Sequence, residues 1–433
     1  MKKIIFLIAI SFVISACLPQ GVRVPQSQLQ PLLERKSGLI AYVGIDGNLY
    51  VSDQGGGKKK QFTKDAFFGQ NANEPYLYYR ALTWSKDSAH IAFVGENFDG
   101  KTNVNNILIA NVEKGSAAEV FAHATEAPIY LYWSPDKENL SFISSAATGQ
   151  NIILQSVPSG GGERTILDVG MPYYWSWAPN GRALITHAGG GSNASAPEHL
   201  SFIQLQDPGG EIIEDSLDAA PASFQAPAWS PDGSHIALTR VGDSNNEIIL
   251  TDGAGVYQKT LGTFEVNAAF AWSEDSAQIA YIDGTQAMSA GVVGELNIVD
   301  MQTAEKISVG QSVIAFFWSP SGEKIAYFQL PPDSSQNSSG ASSQFEVQLS
   351  ILDVKSGESR ELYTYTPTQQ FANILPYFDQ YHQSLTIWSP DDNSLVLSFM
   401  DSQGSPAIAI ASASGNLQPR LLAEGYIAVW SWK

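Results

Sequence analysis

The sequence predicts an all-β chain closed into a single β-propeller, with eight four-stranded blades as the reading and seven as its alternative. Three observations carry that expectation. A tryptophan phrase recurs along the chain, each repeat offers about four short strands, and each end of the chain holds part of one repeat.

The phrase is Trp, then Ser or Ala, a turn, then a strand centred on Ile or Leu. It begins at Trp84, Trp133, Trp177, Trp229, Trp272, Trp318 and Trp388, and a truncated copy begins at Trp430. Successive copies lie 49, 44, 52, 43, 46, 70 and 42 residues apart. The long interval holds the polar, low-complexity run 331–343, read as an inserted loop. The eight tryptophans are the expected repeat anchors, and Trp175 and Trp432 stand outside their register. Within the phrase, Pro-Asp-Gly is turn chemistry: Pro presets φ, Asp binds its own backbone and Gly tolerates positive φ. Asp136, Asp232, Asp275 and Asp391 recur with that turn, so a repeated structural role explains them better than catalysis or calcium binding. After each phrase comes a short apolar strand and a Gly-containing turn, as in the runs from Asn151 and Glu247, and no convincing amphipathic helix of ten or more residues intervenes.

The ends predict closure. Residues 38–53 resemble the second and third strands of a repeat that lacks its Trp strand, and residues 425–433 supply a Trp strand with nothing after it. Joined, they make one blade and remove two open sheet edges. On these residues the W-S-P-D-G-x-x-I-A phrase resembles the PD40, or TolB-type, WD40-like propeller family over residues 38–433. That resemblance implies a propeller that binds protein partners of the cell envelope. The chain departs from TolB in its leader, its greater number of repeats and the lack of a counterpart to TolB's separate N-terminal domain, so a TolB-specific role is not carried over.

Residues 1–16 read as a signal peptide: Lys2 and Lys3, an apolar stretch from Ile4 to Ile14, then Ser15 and Ala16. The stretch is too short to span a bilayer. The run Ile14-Ser15-Ala16-Cys17 resembles a bacterial lipobox, which implies lipid attachment at Cys17 and an extracytoplasmic, membrane-anchored protein, periplasmic or at the cell surface. Residues 17–37 are then a lipidated Cys with a flexible tether, and 38–433 the body.

Composition narrows the partners. Lys and Arg number 24 against 43 Asp and Glu, a formal charge of −19, which becomes −21 once Lys2 and Lys3 leave with the leader. A chain this acidic lacks the cationic surface that nucleic acid requires. One Cys excludes a disulfide scaffold. No G-x-S-x-G elbow is present, and no chain is left over for a hydrolase domain. The six His are scattered; His187 and His199 share one candidate loop, but a solvated loop explains them better than zinc. The run Gly189–Gly191 lacks the Lys-Ser/Thr of a phosphate loop, and Lys58–Lys60 read as a solvated edge. No metal, no cofactor and no catalytic residue are expected.

Alternating strand direction puts the short Pro-Asp-Gly turns on one face and the long connections, residues 62–79, 187–199, 214–227, 330–344 and 364–384, on the other. Binding is expected on the long-loop face. Tyr76, Tyr78, Tyr79, Tyr130, Tyr132, Tyr173, Tyr174, Tyr377, Phe378 and Tyr381, with the acids Asp65, Glu74 and Asp379, form the candidate rim. Alternate members could instead pack between blades. Glu126, Asp168, Asp215 and Asp218 add to its acidity. The expected function is a monomeric, non-catalytic binding or scaffold protein for a protein partner or envelope polymer, anchored in the membrane by its lipid. A propeller lyase or hydrolase with a central-channel site, and a structural subunit of an envelope complex, are the alternatives.

Overall fold

Each tryptophan phrase folds as its turn chemistry dictates. The Ser after Trp donates through Oγ to the Asp two residues on, at 2.6–2.7 Å, for Ser85, Ser134, Ser230, Ser273 and Ser389. The same Oγ accepts from the backbone N–H that opens the next strand, as Ser85 does from His90. The fourth residue after each Trp turns the chain with φ between +59° and +75°: Ser88, Lys137, Gly181, Gly233, Ser276, Gly322 and Asp392. Glycine adopts this region without penalty, so the three glycines mark the position that the whole series shares.

The computed structural model describes residues 36–71, 73–145, 151–189, 198–205, 212–217, 219–286, 291–332 and 345–433. The leader, Cys17, the tether to residue 35, Gly190–Gly191, Asp218 and most of the run 331–343 lie outside the described residues.

The strands pair antiparallel in chain order, and the fold is a β-propeller of such sheets. Tyr76–Trp84, His90–Phe98, Asn103–Asn111 and Ser116–His123 make one four-stranded blade, and the Trp133, Trp177 and Trp229 phrases each open another. Two long strands join neighbouring blades. Lys306–Trp318 pairs with Gly294–Asp300 through its first part and with Lys324–Gln329 through its last. Arg420–Trp430 pairs with Pro406–Ser412 and then with Ile40–Gly44. The last pairing sets Ile40 opposite Trp430 and Ala41 opposite Val429, which is the closure that the two ends predict.

The tryptophans tie neighbouring blades together. Trp84 Nε1 donates to Val429 O, Trp133 to Thr83 O, Trp272 to Ala228 O, Trp318 to Ala271 O and Trp388 to Phe317 O, at 3.0–3.3 Å. Each acceptor is the residue before the neighbouring blade's Trp. Trp177 reaches the equivalent carbonyl through Ser141, whose Oγ accepts from the indole and donates to Tyr132 O. Trp430 donates to Ser37 O, and Lys36 pairs with Asp53 at 2.5 Å, so the last two residues of the expected tether belong to the body. Trp229 departs from the series: it is half-buried and its Nε1 has no hydrogen-bond partner among the described residues. Trp175, outside the repeat register, is fully buried and shares Ser141 Oγ with Trp177.

Candidate functional site

The segment expected as the longest rim loop folds back into the centre of the ring. Thr366 to Ser384 holds two four-residue helices, α1 (Gln369–Ala372, capped by the Thr368 hydroxyl) and α2 (Phe378–Tyr381), around a 3-10 turn at Leu375–Tyr377. Phe371, Leu375 and Phe378 are buried, with Phe378 against Phe316 at 4.8 Å between ring centroids. Helices this short do not hold themselves together in water. Here the blades supply the partners. Trp175 N–H donates to Gln380 Oε1 and Gln380 Nε2 returns a bond to Trp175 O, at 3.0 and 2.9 Å. Tyr130 Oη donates to Gln380 O, Thr83 Oγ1 to Ser384 O and Gln383 Nε2 to Pro227 O. Ala226 N–H donates to Asp379 Oδ2 at 2.8 Å, and Trp318 N–H to His382 Nε2 at 3.2 Å. The segment is a plug, bonded to the innermost strands of blade after blade.

Two of its ionisable groups are displaced by that setting. Burial pushes the Asp379 carboxyl up to about 6, against backbone N–H bonds, that of Ala226 foremost, which favour the anion. Burial pushes the His382 imidazole down to about 4, against the pull of Glu274.

Below the plug, on the short-turn face, the chain seals the ring. Trp432 donates to Trp84 O, Lys86 Nζ lies 3.5 Å from the Trp432 ring centroid, and Lys86 pairs with Glu274 at 2.8 Å. Lys86 and Glu274 come from blades four apart in chain order, so the pair bridges the mouth. Lys86 holds the Glu274 carboxyl below the usual carboxylate range.

Above the plug, on the long-loop face, a cavity of about 540 Å³ opens. Its walls come from the plug (Ile374, Tyr377, Gln380, Tyr381), from the inner strands of three successive blades (Arg80, Ile129, Tyr130, Tyr173) and from Ile427 and Val429 of the closing strand. The Tyr76–Trp84 strand breaks register between Arg80 and Thr83, with Ala81 at φ +55°, and this bulge forms part of the wall. Ile129 and Tyr377, 41% and 40% exposed, stand at the mouth. Several polar groups that line it are occupied: Arg80 binds Glu96 and Pro128 O, Tyr130 Oη donates to Gln380 O, and Tyr173 Oη donates to Asp168. Burial pushes the Tyr130 and Tyr173 hydroxyls well above their ordinary range, so both stay protonated, and it takes Tyr381 to about 12.

The candidate rim is therefore largely a wall. Tyr79, Tyr130, Tyr132 and Tyr173 are buried on the inner strands of their blades, and Phe378 and Asp379 are buried within the plug itself. Tyr174 lies against Phe224, with Tyr377 beyond it. Tyr76 and Tyr78 lie half-buried in an aromatic row with Phe68 and Phe98. Asp65 is exposed and accepts from Tyr79 Oη, and Glu74 binds Gln70 and Asn71 within its own turn. Asp215 is exposed. Glu126 is buried between Arg164, Gln155 and Ser144, where Arg164 and Gln155 outweigh burial and hold it below the usual range. Lys60 caps Val112 O and Glu113 O of the neighbouring blade.

The two histidines considered together are parted. His187 is buried, between Gln225 O and Glu198. His199 stands beside Asp168 and Glu214, three groups whose ligand atoms lie within 4.8 Å of one another. Sequence reading missed this set because Asp168 belongs to a different blade.

No family model and no curated protein matches the sequence. Among solved structures, the chain is similar to an oligogalacturonate lyase in complex with manganese, at 13% identity over 91% of this chain and 98% of that one, TM-score 0.50. It is similar to prolyl endopeptidases at 12% identity over 80% of this chain and 49% of theirs, TM-score 0.52. TolB from Acinetobacter baumannii aligns at 14% identity over 78% of this chain and 81% of that one, TM-score 0.37. At such identities the likeness shows the fold alone.

Proposed function

We propose that this chain is a lipid-anchored, extracytoplasmic binding protein that does no chemistry, and that it holds a protein or envelope polymer by taking an apolar or aromatic group of that partner into the cavity on its long-loop face. The observation that carries the reading is the cavity itself: about 540 Å³, walled mostly by tyrosine and aliphatic side chains, with no carboxylate, imidazole, serine or lysine among the described residues that line it. A concave, mostly apolar hollow with a few fixed polar groups is what small ligands and anchor side chains occupy. The hydroxyls of Tyr130 and Tyr173, held protonated and already bonded, make poor acids and bases at neutral pH.

The scaffold we assign to it is an eight-bladed ring. Four of the hydrogen-bonded sheets have four strands, and the six- and seven-stranded sheets each divide into two blades at the long strands Arg420–Trp430 and Lys306–Trp318. The leader and Cys17 support anchoring at a bacterial membrane, periplasmic or surface-facing. A channel-site enzyme finds less support, since Phe378 and Gln380 occupy the depth where its substrate would sit.

Binding of 1-anilinonaphthalene-8-sulfonate tests the cavity. The full-length chain in detergent should bind one molecule, and solubilised envelope extract should displace it. Ile129→Trp, which fills the mouth, should lower that affinity at least tenfold at unchanged melting temperature. Equal affinity in the variant places the binding elsewhere and sinks the reading.

A further inference from the structure

We propose that Asp168, His199 and Glu214 bind one divalent first-row transition cation in the seam between the Trp133 and Trp177 blades. Asp168 lies on Thr165–Gly170, the outer strand of one blade, while His199 opens His199–Gln204 and Glu214 lies on Ile213–Ser216 of the next. Strand register puts the second pair on one face. Ser201 lies opposite Ser216 and Ile203 opposite Glu214, so His199, Ser201 and Glu214 point the same way. Ile203 and Leu167 pack in one core cluster with Tyr173, which identifies that face as the one turned toward Asp168.

His199 Nε2 and Glu214 Oε1 stand 3.9 Å apart, too far for a hydrogen bond. Ligands on one ion with bonds of about 2.0–2.2 Å sit roughly 3.0–3.4 Å apart, so small side-chain rotations bring all three groups, now within 4.8 Å, onto a shared centre. Two carboxylates converging in a half-buried seam repel each other, and a cation held between them relieves that repulsion. A second observation points the same way. Ser201 is fully buried, and its Oγ, on the face between His199 and Glu214, has no hydrogen-bond partner among the described residues. The support around the ligands is also in place: Tyr173 Oη donates to Asp168 Oδ2 at 2.7 Å and fixes that carboxylate, as outer hydrogen bonds do in metal sites. One imidazole with two carboxylates suits Zn²⁺, Co²⁺ or Mn²⁺, whereas Ca²⁺ and Mg²⁺ prefer oxygen alone. Since Tyr173 also lines the cavity, the ion would brace one of its walls. The site stands independently of the cavity's function.

The test uses the full-length chain in detergent, stripped with chelator and titrated with Zn²⁺ by calorimetry and with Co²⁺ by visible absorption. The expected result is one ion per chain, a raised melting temperature, and a loss of affinity of at least tenfold in both His199→Gln and Glu214→Gln. Both side chains are partly exposed, at 31% and 39%, so the metal-free variants should melt where the metal-free parent does. Absence of saturable binding, Zn²⁺ affinity unchanged in either variant, or Ca²⁺ bound as tightly as Zn²⁺ overturns the proposal.

Discussion

The two ends of the channel are built differently. The short-turn end is closed by the chain's last residues and by an ion pair between equivalent turns of distant blades, Trp432 under Lys86–Glu274. The long-loop end is left open by the plug and becomes an apolar cavity. The first sets one residue from outside the register, Trp432, on a pair of repeated turn positions, and the second depends on one segment that occurs once. A repeat supplies the ring, and a single insertion decides what the ring can hold.

Removing the closing strand should have the largest effect. Deletion of residues 425–433 takes away the pairing of Ile40–Gly44 and the fully buried Trp430, which serve both ends alike. The expected outcome is loss of a cooperative transition in calorimetry, and a normal melt would break the account of closure. Next is the plug. Phe378→Ala should cost about 3–5 kcal/mol by chemical denaturation, as a buried Phe truncated without collapse does.

Within the plug, Asp379 and His382 oppose each other with pH. Asp379, raised from 3.8 to about 6, lends stability that is full below its unfolded value and lost as pH rises through 6. His382, lowered from 6.5 to about 4, lends stability that is full above its unfolded value and lost as pH falls toward 4. Each is worth on the order of 3 kcal/mol at most. Between pH 4 and 6 they largely cancel. Asp379→Asn should therefore unmask a fall in stability on acidification, and His382→Gln should shift the profile the other way. Identical profiles for the two variants would contradict the burial assigned to both. Smallest is the seal: Lys86→Ala should cost less than about 1 kcal/mol and less still in salt, because the pair is more than a third exposed.

The ring was legible because its signals are local. A Trp, a Ser–Asp bond and one positive-φ residue fall within five positions, so each copy declares itself in sequence. The closing strand was legible because both ends carry fragments of the same phrase. The plug was not, since it happens once and its helices are shorter than any helical pattern that propensity alone supports. A signal was nevertheless present: Phe371, Ile374, Leu375, Phe378, Tyr381 and Leu385 follow helical spacing inside the 70-residue interval. The low-complexity run 331–343 accounts for only part of that excess length. Without the plug, local sequence places Phe378 and Asp379 on an exposed rim, whereas both are buried. The Asp168–His199–Glu214 set lay beyond reach for another reason, because strands of two blades must be docked before those side chains meet.

Amide hydrogen exchange across residues 369–385 tests the central claim most directly. A plugged channel gives protection comparable to that of Ile40–Gly44, with the backbone amides of Trp175 and Trp318, which donate into the plug, equally slow. Exchange of the segment at the rate of an exposed loop, with Trp175 and Trp318 protected no better, would mean that the channel is not plugged.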